Sequence, residues 1–383
     1  MHSSCIDCVR WHELRVSPKT VWSFVELVDT DGRTGVGEAT PAKREPQMRA
    51  ALAQFEDGVR GRVPAEVDLT SQRSAARSLA EFAVVSALDQ AIWDLVAQQR
   101  GVSVAAALGP VIRDAIPVYA NINRGIASRT PEGFAAQARR AIADGFSAIK
   151  IAPFDEVELY GDASATPESW NLERGLARIA AVRDAIGTGV ELMVDCHWRL
   201  NRAAADAVLR AVEHQHLYWL ECPIPERPDL LDTIRDLRAA ANTRGIRLAG
   251  CENVSLVTGF APFLGAGCYD VMMPDVKYVG GLREMLRVAD VLHAHGVAFS
   301  PHNPTGPVCH AASLHVCATA TSLQWMETQY AETPLFDDLV DNALPRASGG
   351  YVAVPTTPGL GVRLAPRLTQ ELAVQDSSAR HVS

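Results

Sequence analysis

The stretch ELMVDCHWRLN, residues 191–201, begins as an apolar run and ends in ionisable side chains. Asp195 and His197 are two positions apart, and side chains at positions i and i+2 of a strand share one face. The stretch therefore predicts a buried strand that delivers a carboxylate and an imidazole to the same place. Whether other strands end in the same way decides the fold.

Eight short apolar runs of this kind, each ending in polar residues, alternate with helical segments after the first hundred or so residues. They are IPVYANINRG (116–125), FSAIKIAP (146–153), VELMVDCHW (190–198), HLYWLECPIPE (216–226), IRLAGCENVS (246–255), YDVMMPDVKYVGG (269–281), VAFSPHN (297–303) and LQWMETQ (323–329). Strands that alternate with helices in this number favour an α/β fold of the (β/α)8 barrel type.

Ahead of the barrel, the pattern is typical of a small α+β domain. TVWSFVELVDTDGRTGVGEAT (20–40) predicts a β-hairpin that turns at Asp31 and Gly32. SALDQAIWDLVAQQRG (86–101) predicts a helix, because apolar residues recur every three or four positions and Gly101 ends the pattern. We expect an N-terminal domain over 1–115, a barrel over 116–348, and a Pro- and Gly-rich segment over 349–383 that returns to the first domain.

Composition indicates a soluble globular protein. Apolar residues make up 48%, and the net charge of −9, with no basic run to offset it, argues against nucleic acid as a partner. No apolar run reaches the ~18 residues that would span a bilayer. The N-terminal residues show no secretory signal, so we expect a cytoplasmic protein. The 8 cysteines form no disulfide or zinc pattern, and we expect them to be reduced.

In a parallel barrel, the chemistry lies at the carboxyl ends of the strands. One or two ionisable groups fall at each of seven such ends, roughly one β-α unit apart: Lys150, Asp195 and His197, Glu221, Glu252, Asp275, His302 and Glu327. This regular spacing predicts that all of them meet in one mouth.

Three of these groups, Asp195, Glu221 and Glu252, are carboxylates on three successive strands. Three converging carboxylates repel one another unless a proton or a cation neutralises them. A set of oxygen ligands with room for water and substrate favours Mg²⁺. The cysteines beside them, Cys196, Cys222 and Cys251, are expected to be small core residues, because strand alternation turns a ligand's neighbour outward.

Asp275 and His302 end neighbouring strands of the predicted barrel. An imidazole that is hydrogen-bonded to a carboxylate has a fixed tautomer and greater basicity, which suits a general base. We therefore expect His302 to be the base and Asp275 its partner.

The order of these strand-end groups, the segment SALDQAIWDLVAQQRG and the motif GVGEAT (35–40) resemble the enolase superfamily, in its mandelate racemase-like branch. The resemblance covers nearly the whole chain. It implies a capping domain over a modified (β/α)7β barrel. It also implies that Asp195, Glu221 and Glu252 bind one Mg²⁺ per subunit, which stabilises an enediolate formed by proton abstraction beside a carboxylate.

One departure from the racemase pattern narrows the expected reaction. Racemases of this branch carry Lys-x-Lys at the end of the second barrel strand, whereas AIKIAPF has Lys150 followed by Ala152 in the second position. Asp195-x-His197 resembles instead the sugar-acid dehydratases of the D-galactonate dehydratase type, in which this histidine is the general acid. The resemblance implies a hydro-lyase that acts on an aldonate or aldarate and leaves a 2-keto-3-deoxy acid.

The remaining expectations concern the substrate. Glu327 would face the substrate carboxylate or hydrogen-bond the enediolate if it carries a proton, and Lys150 would place a positive charge near that carboxylate. The candidates for binding the substrate are Asn121, Asn123, Arg124, Arg199 and Asn303, with Lys43 and Arg44 as weaker ones.

Alternatives remain open at this stage. An epimerase or racemase, or a lactone cycloisomerase, would use the same enediolate, and a barrel that binds sugar acids without turnover would use the same pocket. The sequence leaves the stereochemistry of the sugar acid open. The partner is a small molecule, and homo-oligomers are usual in the family.

Overall fold

Three strands at the start of the chain form an antiparallel sheet in the computed structural model, which describes residues 4–41, 43–157, 169–340 and 344–365. They are β1 (Ile6–Arg15), β2 (Val21–Asp29) and β3 (Thr34–Glu38), in the order β1-β2-β3. The predicted hairpin is confirmed: Gly32, with φ of 80°, lies in the turn that joins β2 to β3. Left-handed backbone of this kind favours glycine.

Four helices follow this sheet, and the longest of them packs against β2 and β3. They are α1 (Glu45–Phe55), α2 (Thr70–Ala75), α3 (Leu79–Gln99) and α4 (Val104–Leu108). A capping box starts α3, in which Ser78 Oγ accepts from the Glu81 N–H and Glu81 accepts from the Ser78 N–H. At Gly37 in the GVGEAT motif, a Cβ atom would lie 1.9 Å from the Ala87 carbonyl oxygen. Glycine is needed there because β3 lies directly against α3.

The next eight strands are parallel and run around a barrel. They are β4 (Ala115–Asn121), β5 (Ala148–Ile151), β6 (Glu191–Asp195), β7 (Leu217–Glu221), β8 (Arg247–Gly250), β9 (Val271–Met272), β10 (Ala298–Phe299) and β11 (Met326–Gln329). Seven of them fall within one of the eight predicted runs, and β4 begins one residue before its run, at Ala115. Neighbours in the chain pair in sequence from β4 to β10, and β11 pairs with β4. The Gln324 N–H donates to the Phe299 carbonyl at 2.8 Å, which joins the last two strand segments.

Seven helices alternate with these strands in the described part of the chain. They are α5 (Pro131–Ala143), α6 (Ser169–Ile186), α7 (Arg202–Ala211), α8 (Leu231–Asn242), α9 (Leu256–Gly265), α10 (Leu282–Ala294) and α11 (Pro307–Thr319). Only the four-residue α12 (Leu335–Asp338) follows β11 among the described residues. The fold is therefore the predicted (β/α)7β barrel with an N-terminal α+β domain. No helix within the described ranges is long and apolar enough to cross a membrane.

The C-terminal segment contacts both parts of the fold. Strand β12 (Tyr351–Ala353) pairs antiparallel with the start of β4. Further on, the Leu360 N–H donates to Asp94 of α3 at 2.8 Å. This contact joins the described part of the segment to α3, and 366–383 lie outside the described residues. The three-part division of the chain stays a prediction.

A layer of apolar side chains fills the barrel interior just below its mouth. The layer includes Tyr119, Ala148, Met193, Trp219 and Ala249. Since strand side chains alternate, the residue two positions after a member of this layer points the same way, one level higher. Lys150, Asp195 and Glu221 follow Ala148, Met193 and Trp219 by two positions and therefore rise into the mouth.

Candidate active site

Three carboxylates meet at the barrel mouth. Asp195 and Glu221 end β6 and β7, and Glu252 comes two residues after β8. One oxygen from each lies within 4.8 Å of the others, and all three side chains are buried. Glu252 reaches the site because Cys251 takes a left-handed backbone conformation, with φ of 73°. The structure thus brings together the three ligands that the resemblance implied.

The electrostatics of this cluster suit a cation. Burial raises the pKa of Glu221 to about 7, with Asp195 and Glu327 adding to the rise and Lys150 opposing it. Burial, reinforced by the charges of Asp195 and Glu221, also raises the pKa of Glu252 well above its usual value. Among the described residues, Glu252 Oε2 is buried without a hydrogen-bond partner. An all-oxygen donor set with an unpartnered buried oxygen fits a hard divalent cation.

The cysteines next to the ligands are core residues, as predicted. Cys196, Cys222 and Cys251 are free thiols and are at most 1% exposed. Burial raises the pKa of each thiol well above its usual value. They are therefore neutral and unsuited to bind a metal as thiolates.

Lys150 lies fully buried beside the cluster. Its Nζ is 2.7 Å from Glu221 Oε1 and 3.1 Å from Glu327 Oε2. Burial lowers its pKa, but Glu221 and Glu327 outweigh this and raise the pKa well above the usual value. The ammonium group stays charged and links Glu221 to Glu327 of β11.

The predicted Asp275 and His302 pair is present. His302 Nδ1 lies 2.6 Å from Asp275 Oδ2, and His302 Nε2 lies 3.4 Å from Glu252 Oε2. Burial lowers the pKa of His302, although Glu327 and Asp275 act in the opposite direction. The imidazole is therefore neutral at neutral pH, with Nε2 facing the carboxylate cluster, as a general base requires.

Beside Asp275 and His302 lies a third residue, Lys277, that the sequence analysis did not predict. Lys277 Nζ lies 2.7 Å from the same Asp275 Oδ2 that contacts His302, and the lysine is 2% exposed. The signal was available in PDVKYVGG (274–281), where Lys277 follows Asp275 by two positions. A buried carboxylate is destabilising unless a cation lies nearby, so Lys277 could have been predicted as the partner of Asp275.

His197 reaches the mouth in a different way from the one its spacing suggested. Strand β6 ends at Asp195, and His197 and Trp198 follow with φ of 46° and 55°. The two side chains do converge, with His197 Nε2 2.8 Å from Asp195 Oδ2, but a left-handed turn brings them together, not strand alternation. The expectation of an extended i, i+2 pair is therefore corrected.

A second residue that sequence reasoning missed holds the other side of this ring. Asp155, in the loop after β5, has its Oδ1 2.7 Å from His197 Nδ1. Burial lowers the pKa of His197, but Asp195 and Asp155 outweigh it and raise the pKa well above its usual value. The ring therefore holds a proton on both nitrogens, as a general acid requires. No pattern in the sequence links residues 155 and 197.

Glu327 is the hub of a buried network. It accepts from Asn121 Nδ2 at 2.6 Å, from Tyr119 Oη at 3.2 Å and from the Asn303 N–H at 3.1 Å. Burial raises its pKa, but Lys150 and His302 outweigh this and lower it. The carboxylate is thus ionised and accepts hydrogen bonds, so in this state it lacks the proton that a donor to an enediolate would need.

The predicted substrate-binding side chains are all bonded to protein groups. Asn123 bridges the Ala152 N–H and Asn121, and Asn303 bonds Ser313 and the Glu327 carbonyl. Arg124 turns toward Glu332 at 3.0 Å, in a contact that Thr20 of the N-terminal domain shares. Substrate binding by Asn121, Asn123, Arg124 and Asn303 stays a prediction.

Arg199, Lys43 and Arg44 lie in loops. Arg199 Nη1 donates to the Val157 carbonyl at 3.0 Å, and its Nε is buried without a partner in the part of the chain that the structure describes. Lys43 and Arg44 are exposed and precede α1. Substrate binding by these residues stays a prediction.

The two histidines approach the carboxylates from opposite sides. β6, which precedes His197, and β10, which precedes His302, are separated by β7, β8 and β9 in a closed ring of eight strands. A molecule bound over the carboxylates would therefore have a neutral imidazole on one face and a protonated imidazole on the other. This arrangement can remove a proton at one carbon and deliver a proton to a neighbouring group.

Comparison with known proteins identifies relatives over most of the chain. A model described as the mandelate racemase / muconate lactonizing enzyme N-terminal domain matches residues 12–109, and one described as enolase C-terminal domain-like matches residues 133–368.

Two curated relatives and one solved structure illustrate the similarity. A D-gluconate dehydratase of Thermoproteus tenax is 31% identical over 361 residues, covering 92% of this chain and 70% of that protein. A D-galactonate dehydratase of Variovorax paradoxus is 27% identical over 365 residues, covering 93% and 91%. The crystal structure of a mandelate racemase/muconate lactonizing enzyme from a Jannaschia species has a TM-score of 0.85 at 27% identity, covering 96% and 97% of the two chains.

Proposed function

The chain belongs to the mandelate racemase and muconate lactonizing enzyme family of the enolase superfamily, and on that premise we propose that it is a hydro-lyase, a Mg²⁺-dependent dehydratase of a sugar acid. The relatives named D-gluconate and D-galactonate dehydratase support the reaction class. One observation of this chain carries the proposal: His302, paired with Asp275, and His197, paired with Asp155, lie on opposite sides of the carboxylate cluster.

The absence of a second base supports dehydration over inversion. Ala152 stands where racemases of the branch carry a lysine, and it is fully buried beside β5. Inversion of a carbon centre needs a base or acid on each face of that carbon. The opposite face carries His197 in place of a lysine, and in this proposal its proton goes to the departing β-hydroxyl and not to the α-carbon.

In the proposed mechanism, His302 Nε2 takes the proton from the carbon next to the substrate carboxylate. Asp275 holds the ring through Nδ1, which leaves Nε2 free to accept. The C–H electrons first move toward the carboxylate to give an enediolate, and they then return to form the carbon–carbon double bond as the bond to the β-hydroxyl breaks. His197 gives its Nε2 proton to the departing hydroxyl, which leaves as water, and the enol product tautomerises to a 2-keto-3-deoxy acid.

Asp195, Glu221 and Glu252 would hold the divalent cation, and Lys150 would retain Glu221 in place. When bound, the cation supplies positive charge that stabilises the anionic enediolate. Glu327, kept ionised by Lys150 and His302, fixes the relative positions of β4, β10 and β11 at the mouth. The oxygen-only donor set supports Mg²⁺ as the cation.

The experiment is to incubate the protein with Mg²⁺ and a panel of aldonates and aldarates in D₂O and to follow each by proton NMR. Loss of substrate with formation of a 2-keto-3-deoxy acid is the expected result. Exchange of the α-proton with no loss of water would contradict dehydration and favour the epimerase. No reaction with any sugar acid would also refute the proposal.

Two variants assign the roles. His302→Asn should abolish both α-proton exchange and elimination, because no base remains on that face. His197→Asn should abolish elimination while exchange continues. General acid or base catalysis contributes roughly 10²–10⁴-fold in rate, so each loss should be at least of that order.

A cytoplasmic location and a homo-oligomeric state stay predictions. Analytical sedimentation would test the oligomeric state.

A further inference from the structure

Both histidines of the mouth are held in the same manner, through Nδ1 by a carboxylate. Asp275 holds His302 at 2.6 Å, and Asp155 holds His197 at 2.7 Å. Asp275 belongs to the regular series of strand-end residues, whereas Asp155 lies in the loop after β5. The mouth therefore contains two histidine–aspartate pairs, one on each side.

The loop that carries Asp155 is itself held by two arginines. Arg129 Nη2 lies 3.3 Å from Asp155 Oδ2 and also donates to the Ala152 carbonyl at 2.8 Å. Arg178, which is 2% exposed, donates to the Pro153 carbonyl at 2.7 Å. Arg129 thus holds Oδ2 of Asp155, and the other oxygen, Oδ1, contacts His197.

His197 needs such a support. Its backbone is in the left-handed region, with φ of 46°, and its side chain is 36% exposed, so packing alone does not fix the ring. When Nδ1 donates its hydrogen to Asp155, Nε2 is the nitrogen that faces the carboxylate cluster. A carboxylate on Nδ1 fixes both the tautomer and the orientation of an imidazole.

We propose that Asp155 is a positioning residue that orients His197 for delivery of its proton to the departing β-hydroxyl. This inference rests on the proposed dehydratase function and identifies the residue that supports its general acid, His197. Asp155 does not touch the reacting atoms, and it acts through His197. Misplacement of a reacting group by about 1 Å can lower a rate roughly 10²-fold.

The test separates the two halves of the reaction. In D₂O with Mg²⁺, Asp155→Ala should slow elimination at least tenfold, while His302 still exchanges the α-proton, so recovered substrate contains deuterium. Asp155→Asn keeps an oxygen that accepts from Nδ1 and should retain more elimination than Asp155→Ala. Glu156→Gln is the matched control: it removes a charge from the same loop, and Glu156 pairs with Arg129 and Arg178 rather than with His197. Its ratio of elimination to exchange should equal that of the unmodified protein.

Two outcomes would overturn the inference. Elimination at the original rate in Asp155→Ala would show that His197 needs no partner. A parallel fall of exchange and elimination would show a general structural role for Asp155.

A spectroscopic measurement keeps the inference separate from the proposed function. In protein with ¹⁵N-labelled histidine and Mg²⁺, the His197 signals are assigned by their loss in His197→Asn. We expect the Nδ1 chemical shift to change in Asp155→Ala. If the unmodified protein dehydrates no sugar acid, the proposed function fails, and this spectrum alone decides the positioning role: an unchanged Nδ1 shift would refute it.

Discussion

At the scale of single residues, two buried lysines lie beside carboxylates of the mouth and balance their charge. Lys150 forms ion pairs with both Glu221 and Glu327. Lys277 forms an ion pair with Asp275, the partner of the proposed base. A buried charge without a partner costs several kcal/mol, so these lysines allow carboxylates to remain ionised inside the barrel. Function and stability are therefore coupled at the same side chains.

Lys277 gives a test of this coupling. Lys277→Met leaves Asp275 buried without its cation, and we expect the free energy of unfolding to fall by about 3–5 kcal/mol. Urea denaturation measures this change. Lys277→Arg keeps the charge and serves as the control, with an expected smaller loss. Equal stability of the Met variant and the unmodified protein would contradict the argument.

The lowered pKa of His302 predicts the acid side of the pH–rate profile. A general base works in its neutral form, which is present above its pKa. Burial lowers the pKa of His302 below the usual 6.5, so kcat/KM should be maintained through pH 6.5 and fall only below it. The profile should be measured with saturating Mg²⁺ at each pH. A midpoint above 6.5 would contradict a lowered pKa of His302.

At the scale of secondary structure elements, the N-terminal sheet supports the loop that carries His302. Glu38, at the end of β3, is fully buried and accepts from Thr305 Oγ1 at 2.7 Å and from the Gly306 N–H at 2.8 Å. Its second oxygen accepts from the Cys309 N–H at 2.9 Å, in the first turn of α11. A carboxylate at a helix N-terminus satisfies backbone donors that the helix leaves free.

Glu38→Ala should therefore destabilise the junction between the N-terminal sheet and α11. It leaves two buried N–H groups without acceptors, at about 1–3 kcal/mol each, so we expect a loss of about 2–6 kcal/mol in the free energy of unfolding. Thermal or urea unfolding measures the effect. Glu38→Gln retains one acceptor oxygen and should lose less. A smaller loss in Ala than in Gln would contradict this role for the carboxylate.

At the scale of the whole molecule, the barrel brings three carboxylates to one point and makes folding depend on what neutralises them. In the metal-free protein, the pKa of Glu221 is raised from 4.5 to about 7. The folded state therefore binds this proton more tightly than the unfolded chain does. The resulting stability is greatest at low pH and is lost as pH rises through about 7.

Mg²⁺ should replace the proton, so its stabilising effect should increase with pH. At a free concentration of roughly 100 times its Kd, a ligand of the folded state adds about 2.7 kcal/mol. At a single fixed Mg²⁺ concentration, we expect a larger increase in unfolding free energy over protein in EDTA at about pH 8 than at about pH 6. Asp195→Asn should lose most of the effect. An increase that is independent of pH would contradict proton competition at this site.

The sequence pattern by itself determined the barrel and most of the mouth, and the resemblance to the enolase superfamily implied the (β/α)7β form. Eight apolar runs gave the strands, and alternation within each strand is a local property, so the groups that end the strands could be placed at one mouth. Asp195, Glu221, Asp275 and His302 followed from this regularity. Ala152, where racemases of the branch carry a lysine, and His197 indicated dehydration, because this combination resembles the sugar-acid dehydratases.

Only the tertiary structure decided which residues support those groups. Asp155 meets His197 across 42 positions of the chain, and Glu38 meets Gly306 across 268. Arg124 and Asn303 proved to be bonded to protein groups, and His197 proved to lie in a left-handed turn. Contacts of this kind depend on how loops pack after the barrel has closed, and no local periodicity encodes them. The physical reason is that the alternation of the strand backbone fixes the face to which a strand side chain points. The orientation of a loop side chain depends instead on contacts with residues that are distant in the sequence.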